Sequence, residues 1–392
     1  MTEPGSPTVD LLTRLADNAQ RPANTAVGLP PQIYTDPEIL RLEEERIFAH
    51  EWLCAGLAAE IPKPGDYLTF AIGTQPIIVV RGADGVIRGL SNVCRHRMSR
   101  LVEGRGSARV FACPYHAWTY DLQGRLMGAP HMTRSEGFDR KKICLPEIRT
   151  EVWEGWIYVT LDPAVESVAK KLQPLQTVVA PYRMAGYVPF ATQDHLWDTN
   201  WKLLTENFME GYHLPVAHKR TVGAWFPAEE TGFPEQVFDS FTYQTFIKNQ
   251  DAKYGLAHKD NTVLEGKWRH TSVMPTIYPT HMIVIAPDHL WYLSLRPKGS
   301  GQVHVRFGAA LAPEVMASLP DKGSFIAETV DFFDRVNAED RFVVEAIYQG
   351  AKAPLAQSGQ MSWLERELHD FQGYLARKLC GARNSVALAA AQ

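Results

Sequence analysis

The sequence predicts an α+β protein in which a small antiparallel β domain precedes a larger domain of strands and long helices. Three observations carry this. Between Asp66 and about Thr160, short runs such as "YLTFAIG", "PIIVVRG" and "WIYVTL" are broken by Gly, Asp-Gly and Pro, the punctuation of hairpins. Further on, strand-like runs ("SVMPTIYPTHMIVIAPDHLWYLSLRPKG", "GQVHVRFGAAL") lie among segments of helical character. Finally, 392 residues exceed what one hydrophobic core commonly serves. Domains over residues 46–165 and 166–392 are therefore expected, after an N-terminal arm and helix over 1–45.

Taken in order, residues 1–34 are rich in Pro, Asn and Thr without sustained periodicity, and are expected to drape over the surface or to be partly disordered. The first firm element is "TDPEILRLEEERIFAHEW", where Thr35 or Asp36 caps a helix and Pro37 suits its first turn. Within the β domain, "RGADGVIRG" is the clearest hairpin. A helical segment from Glu166 to Tyr182 leads into the second domain, where "DTNWKLLTENFMEGYHL" reads as helix. "SFIAETVDFFDRVNAEDRFVVEAIYQGA" is a long helix, and a last one spans Ser362 to Leu379. No internal repeat is present.

Hydrophobic residues make up 45% of the chain and charged residues 21%, and 40 Lys+Arg against 44 Asp+Glu leave a net charge of −4. That balance argues against nucleic-acid or anionic-membrane partners. No run of eighteen apolar residues occurs and "MTEPGSPTVD" lacks a signal-peptide pattern, so a cytoplasmic protein is expected. Five scattered cysteines are not a disulfide framework. They are free thiols or metal ligands.

The stretch "CRHRMSRLVEGRGSARVFACPYH", residues 94–116, arranges two Cys and two His as C-x-H and C-x-x-H. Thiolates with imidazoles select zinc, copper or iron. Structural zinc sites usually pair like ligands in each short loop, whereas here each loop offers one Cys and one His. Mixed loops suit two adjacent irons, with each loop giving its Cys to one and its His to the other, as in a Rieske [2Fe–2S] centre. A zinc site, or unrelated core cysteines and surface histidines, are the competing readings.

A second constellation lies in "NWKLLTENFMEGYHLPVAHK". Glu206, Glu210 and His213, at steps of four and three, fall on one face of a helix. His218 would lie about 140° further round, so it reaches the same metal only if the helix breaks, and Pro215 supplies a break. In the long helix, Ile326, Val330, Phe333, Asn337, Asp340, Val344 and Ile347 form one stripe. Asp340 sits on it, while Glu339 and Arg341 point away. A carboxylate on an apolar face needs a partner or a metal, so a buried salt bridge competes with a ligand role. Two His and one carboxylate would leave open positions, as in non-haem Fe(II) oxygenases.

Both stretches resemble the ring-hydroxylating oxygenase family: "CRHR" with "CPYHAWTYDLQGRL" is similar to its Rieske motif, and "NWK…EN…E…YH…H" with "NAEDRFVVEAIYQG" is similar to its catalytic-domain signatures. The resemblance covers about residues 36–380. It implies an N-terminal antiparallel Rieske domain and a helix-grip (START-like) catalytic domain with a curved antiparallel sheet. Cys94 and Cys113 would bind one cluster iron, His96 and His116 the other. His213, His218 and Asp340 would bind a mononuclear Fe(II). Glu210 would bridge, between subunits, an iron-bound histidine and a Rieske histidine, and Asn207 and Tyr212 would lie close behind. Met98 and Ala117 depart from the family, which often has Gly at both positions.

The resemblance further implies O₂ as co-substrate and a homotrimer, because one subunit's cluster serves the next subunit's iron. No dinucleotide fingerprint is present, so NAD(P)H electrons must arrive through a separate reductase, with or without a ferredoxin. Trp225, Phe226, Phe233, Phe238, Phe241, Tyr243, Phe246, Trp268, Tyr278, Trp291 and Tyr292 crowd residues 223–292. They would line a pocket for an aromatic ring, cage a quaternary ammonium, or pack the core. "YHLPVAHK" and a Glu at position 210 lean toward the betaine, carnitine and choline branch, and hence toward N-demethylation or methyl hydroxylation. Aromatic ring hydroxylation is the alternative, and a Rieske electron carrier fused to a ligand-binding domain is the rival of another class.

Overall fold

The computed structural model describes residues 7–249 and 255–381. Phe48–Lys171 forms one compact unit, and the segments up to Ile47 and from Leu172 onward form the other.

The first unit is all strands and short turns: β1 Leu53–Leu57, β2 Asp66–Ile72, β3 Gln75–Arg81, β4 Ile87–Ser91, β5 Arg105–Ser107, β6 Phe111–Ala112, β7 Thr119–Tyr120, β8 Leu126–Gly128, β9 Glu147–Trp153 and β10 Trp156–Thr160. Among the described residues they make one antiparallel sheet in the order β1-β10-β9-β4-β3-β2-β5 and a small one, β6-β7-β8. "RGADGVIRG" is the β3–β4 hairpin, with Arg81 opposite Ile87 and Gly85 at a φ of 79°. The two sheets close over a core that includes Ile78, Val80, Leu90, Phe111, Trp118 and Tyr120, and Cys94 and Cys113 belong to it. The paired histidines, His96 and His116, are exposed.

The second unit holds the other antiparallel sheet, β11-β17-β16-β15-β14-β13-β12, from β11 Val188–Trp197, β12 Thr231–Gly232, β13 Phe241–Ile247, β14 Thr271–Ile277, β15 His281–Ile285, β16 His289–Gly299 and β17 Gln302–Leu311. The central strands are buried on both faces, so they read as continuous apolar runs. Registry is set by steric fit: Gly308 pairs with Tyr292, whose ring a Cβ there would meet at 2.2 Å. The helix Lys322–Ala351, capped by Asp321 through the Ser324 N–H, packs Phe333 against Trp291 and Phe307. This is the helix-grip arrangement.

Residues 7–34 are not surface drape. Pro7–Ala19 is a helix that buries Leu11 and Leu15, one turn apart. Asn18 ties it down through Nδ2, which donates to Val27 O and to Gln372 Oε1, both at 2.6 Å. The apolar spacing was present in the sequence, but its flanking Pro and Asn residues obscured it. At the helix Pro37–Glu43 the cap is Asp36, whose side chain accepts the Glu38 N–H.

"NWK" positions the site helix Trp201–Met209. Asn200 caps it, Trp201 Nε1 donates to Glu43 Oε2 at 2.7 Å, and Lys202 Nζ donates to Glu43 Oε1 at 2.6 Å, all fully buried. One turn on, buried Glu206 accepts from the Tyr34 hydroxyl at 2.8 Å. Burial raises the Glu206 pKa to about 7, against the lowering effects of Tyr34 and Lys202. The folded state thus holds this proton more tightly than the unfolded chain, whose carboxyl titrates near 4.5. Its contribution is full below about 4.5 and is lost as the pH rises through 7. In urea unfolding, Glu206→Gln is expected to remove this pH dependence, gaining roughly 3 kcal/mol relative to wild type between pH 4.5 and 8.

Candidate metal centres

The two loops of the β unit are built alike. In each, the cysteine carbonyl accepts from the residue four on (Met98 N at 3.1 Å, Ala117 N at 3.0 Å), and the cysteine N–H donates five on (Ser99 O at 2.8 Å, Trp118 O at 2.7 Å). Closing such a knuckle puts Met98 and Ala117 at φ 55° and 57°, the left-handed region that favours glycine. This is the physical reason that glycine suits these two positions, and the departures strain the loops by about 1 kcal/mol each.

Donors of like kind come together. Cys94 and Cys113 share one core and Cys94 helps to lower the Cys113 thiol, and the His96 and His116 rings are 4.6 Å apart between centroids, with His96 stacked on Trp118 at 4.8 Å. Burial pushes the Cys113 thiol up, but the backbone N–H groups of Tyr115 and His116 outweigh it and the thiol is lowered overall. Cys94 Sγ lies 3.4 Å from the Tyr120 hydroxyl. One tetrahedral ion needs all four donors around a single point. Here two sulfurs form one end and two imidazoles the other, which fits a two-iron cluster with unlike ends. Among the described residues, the only trio of such donors within 4.8 Å of one another lies elsewhere, at His213, His218 and Asp340.

That trio is assembled differently from the sequence expectation. The site helix stops at Met209, and Glu210 is already extended (φ −125°, ψ 148°), so Glu206, Glu210 and His213 do not share a helical face. Pro215 does not break that helix. It opens a separate turn, Leu214–Ala217, with His213 and His218 as its two caps. The chain then folds tightly back: Gly223 N donates to His218 O at 3.0 Å, and a Cβ on Gly223 would lie 2.5 Å from Leu214 O.

His218 Nε2 and His213 Nε2 approach Asp340 Oδ1 at 2.9 and 3.7 Å, about the roughly 3 Å expected of donors that share one first-row ion at 2.0–2.2 Å. The outward nitrogens are held as well. His213 Nδ1 is 2.5 Å from Glu210 Oε1, and Glu210 Oε2 accepts the backbone N–H groups of Tyr212 and His213. His218 Nδ1 is 2.9 Å from Glu339 Oε2, which also accepts from Thr221 Oγ1 at 2.5 Å. Glu339 therefore does not point away from the site. Residues 218–221 approach the helix from its side, and no sequence signal announced this. Burial alone would lower the His213 pKa, but Asp340 and Glu210 raise it to about 10. A buried site with this excess of carboxylate suits a cation.

A cavity of about 60 Å³ opens onto the trio. Phe333, Val336, Asn337 and Asp340 face it from the long helix, and Met274, Val284, Trp291, Leu293 and Phe307 from the sheet. Asn207 lines it, whereas Tyr212 is 60% exposed. Of the aromatic residues noted between 223 and 292, only Phe226 and Trp291 reach the cavity; Phe241, Phe246, Tyr278 and Tyr292 are buried elsewhere. Along the sequence stripe, Ile347 is 46% exposed. None of the described helices is long and apolar enough to cross a membrane.

Comparison with known proteins gives the arrangement its family. Residues 51–148 match the Rieske [2Fe–2S] domain and residues 184–381 the ring hydroxylating alpha subunit catalytic domain. The glycine betaine monooxygenase oxygenase subunit of Chromohalobacter salexigens is 37% identical over 228 residues, 58% of this chain and 50% of that protein. In that match the chain spans about half the relative's length. The chloroplastic choline monooxygenase of Arabidopsis thaliana is 27% identical over 376 residues, 91% of this chain and 84% of that one. A quaternary ammonium Rieske monooxygenase crystallised with an inhibitor superposes with a TM-score of 0.80 at 22% identity, over 93% of this chain and 98% of that one, a likeness of fold. The chain belongs to the ring-hydroxylating α-subunit family, with a Rieske [2Fe–2S] domain ahead of a mononuclear-iron catalytic domain.

Proposed function

We propose that this chain is the terminal oxygenase of a multicomponent system, and that it oxidises an N-methyl group of a compact quaternary ammonium compound by demethylation or methyl hydroxylation. The observation that carries the substrate class is the cavity beside the trio. Its wall contains Trp291, Phe307 and Phe333, with the Phe333 centroid 4.7 Å from that of Trp291 and 5.5 Å from that of Phe307, and among the described residues no Lys or Arg lines it. Aromatic faces attract a desolvated ammonium by up to about 2 kcal/mol. The betaine and choline relatives support the same reading.

In this proposal Cys94 and Cys113 hold one cluster iron, His96 and His116 the other, and His213, His218 and Asp340 hold the mononuclear iron. The bound metals supply electron relay and O₂ activation. The protein supplies orientation. Glu210 and Glu339 accept hydrogen bonds from the Nδ1–H groups of His213 and His218, leaving both Nε2 lone pairs on the Asp340 side, free for a metal ion. A carboxylate has about four acceptor sites, and Glu210 uses three within its own chain. The one left is available to a Rieske histidine of a neighbouring subunit in a homotrimer. The apolar wall excludes water from the reacting methyl. Electrons come from NAD(P)H through a separate reductase, with or without a ferredoxin, and the free cysteines suit a reducing, cytoplasmic setting.

The test is NAD(P)H-coupled O₂ uptake with a surrogate reductase, screened over glycine betaine, carnitine, choline and a panel of aromatic acids. Turnover confined to the aromatic acids would reject the substrate class. A Rieske spectrum without a second iron would reject the oxygenase in favour of an electron carrier.

A further inference from the structure

Asn337 carries an inference that rests on this substrate reading and extends it. Among the described residues, six polar ones line the cavity: Asn207, Glu210, His213, His218, Asn337 and Asp340. Four of them are tied into the metal trio and its hydrogen bonds. Asn337 is different, since its Nδ2 is buried without a hydrogen-bond partner, and it meets a ligand in the cavity once the amide turns about its Cβ–Cγ bond. Its neighbours on the cavity wall, Phe333 one turn earlier and Val336, can accept nothing through their side chains.

A buried donor left unpaired costs about 1–3 kcal/mol. Such a group persists in a binding cavity when a ligand supplies the missing acceptor. The helix fixes where that acceptor must be. Asn337 precedes Asp340 by three residues within Lys322–Ala351, so the two side chains lie side by side on one face, with Cβ atoms about 5–6 Å apart. A small molecule whose oxygen meets Asn337 therefore presents atoms a few bonds away to the metal trio. With no Lys or Arg on the wall among the described residues, a substrate carboxylate would be bound here by an amide donor, its charge balanced by the substrate's own ammonium.

We infer that Asn337 is the specificity-determining residue of this site, donating from Nδ2 to a carboxylate oxygen of a betaine-type zwitterion and so holding its N-methyl group at the trio. A hydroxyl in place of the carboxylate can serve as donor or acceptor, and so depends on Asn337 less. Asn337→Asp turns the donor into a charged acceptor that repels a carboxylate and still accepts from a hydroxyl.

The experiment compares glycine betaine with choline on the iron-loaded protein. It measures kcat and KM by coupled O₂ uptake, and Kd by isothermal titration, for wild type, Asn337→Asp and Asn337→Leu, with iron content determined for each. The expected result is a fall of at least about tenfold in the betaine-to-choline ratio of kcat/KM for Asn337→Asp, worth about 1.4 kcal/mol. The loss should lie mainly in KM, with a matching change in the Kd ratio and unchanged iron. Asn337→Leu should weaken betaine without sparing choline as fully. A wild type that turns over betaine, with both ratios unchanged in both variants, overturns the role of Asn337 and leaves the substrate class standing. A wild type that neither binds nor turns over betaine, choline or carnitine overturns the substrate class and this inference together.

Discussion

Asp340→Ala is expected to lose the mononuclear iron while keeping the cluster. Metal analysis should then find the two cluster irons and their sulfides without the third, and EPR of the reduced protein should show an unchanged Rieske signal. Substrate-dependent O₂ uptake should fall by more than the 10–100-fold typical of losing an outer-shell partner. The reason is geometric. Asp340 Oδ1 is the point on which both imidazoles converge, at 2.9 and 3.7 Å, and it is the one carboxylate of the trio. Without it, His213 and His218 remain, held from behind by Glu210 and Glu339, but two neutral ligands do not balance the charge of Fe(II). An Asp340→Ala protein with normal iron content and turnover would remove Asp340 from the site. The reciprocal variant, Cys94→Ala, is expected to abolish the cluster signal, because its sulfur lies in the core beside Tyr120 and Cys113.

Glu210→Gln should separate electron delivery from metal binding. Its carboxylate accepts from the Nδ1–H of His213 and from two backbone N–H groups of the following turn, so the amide retains its shape while losing one acceptor and the charge. Iron and cluster contents are expected to stay normal while turnover drops roughly 100-fold. In single-turnover mixing with O₂ and substrate, oxidation of the reduced cluster should slow by a similar factor. Glu210→Asp, shorter but still ionised, should recover most of the rate. Normal cluster oxidation in Glu210→Gln would dismiss the bridge and leave Glu210 as a local clasp on His213.

Much of this site could be read along the chain because its geometry is set within short segments. Two Cys/His loops of five or six residues close the same way wherever they occur, which is why the spacing at 94–116 pointed to a two-metal cluster. The strain at Met98 and Ala117 follows from the same closure. Asp340 was found through periodicity, since a 30-residue helix keeps its phase. The helical reading failed where phase was lost. It carried one helix through Glu210, yet the chain turns extended there, and the histidines meet by capping a separate turn.

What the sequence by itself determined was which side chains could serve as donors and the order of the domains, because motif spacing and helical period act between residues near one another. Only the tertiary structure decided which side chains face each other across elements. Glu339 reaches His218 over 121 positions, Tyr34 reaches Glu206 over 172, and Glu43 grips Lys202 over 159. The same holds for the aromatic residues. Composition cannot separate Trp291, which lines the cavity, from Tyr292, which lies beneath Gly308. Adjacent residues on a strand point to opposite faces, and only the folding of the sheet against Lys322–Ala351 determines which of those faces becomes the wall of a pocket.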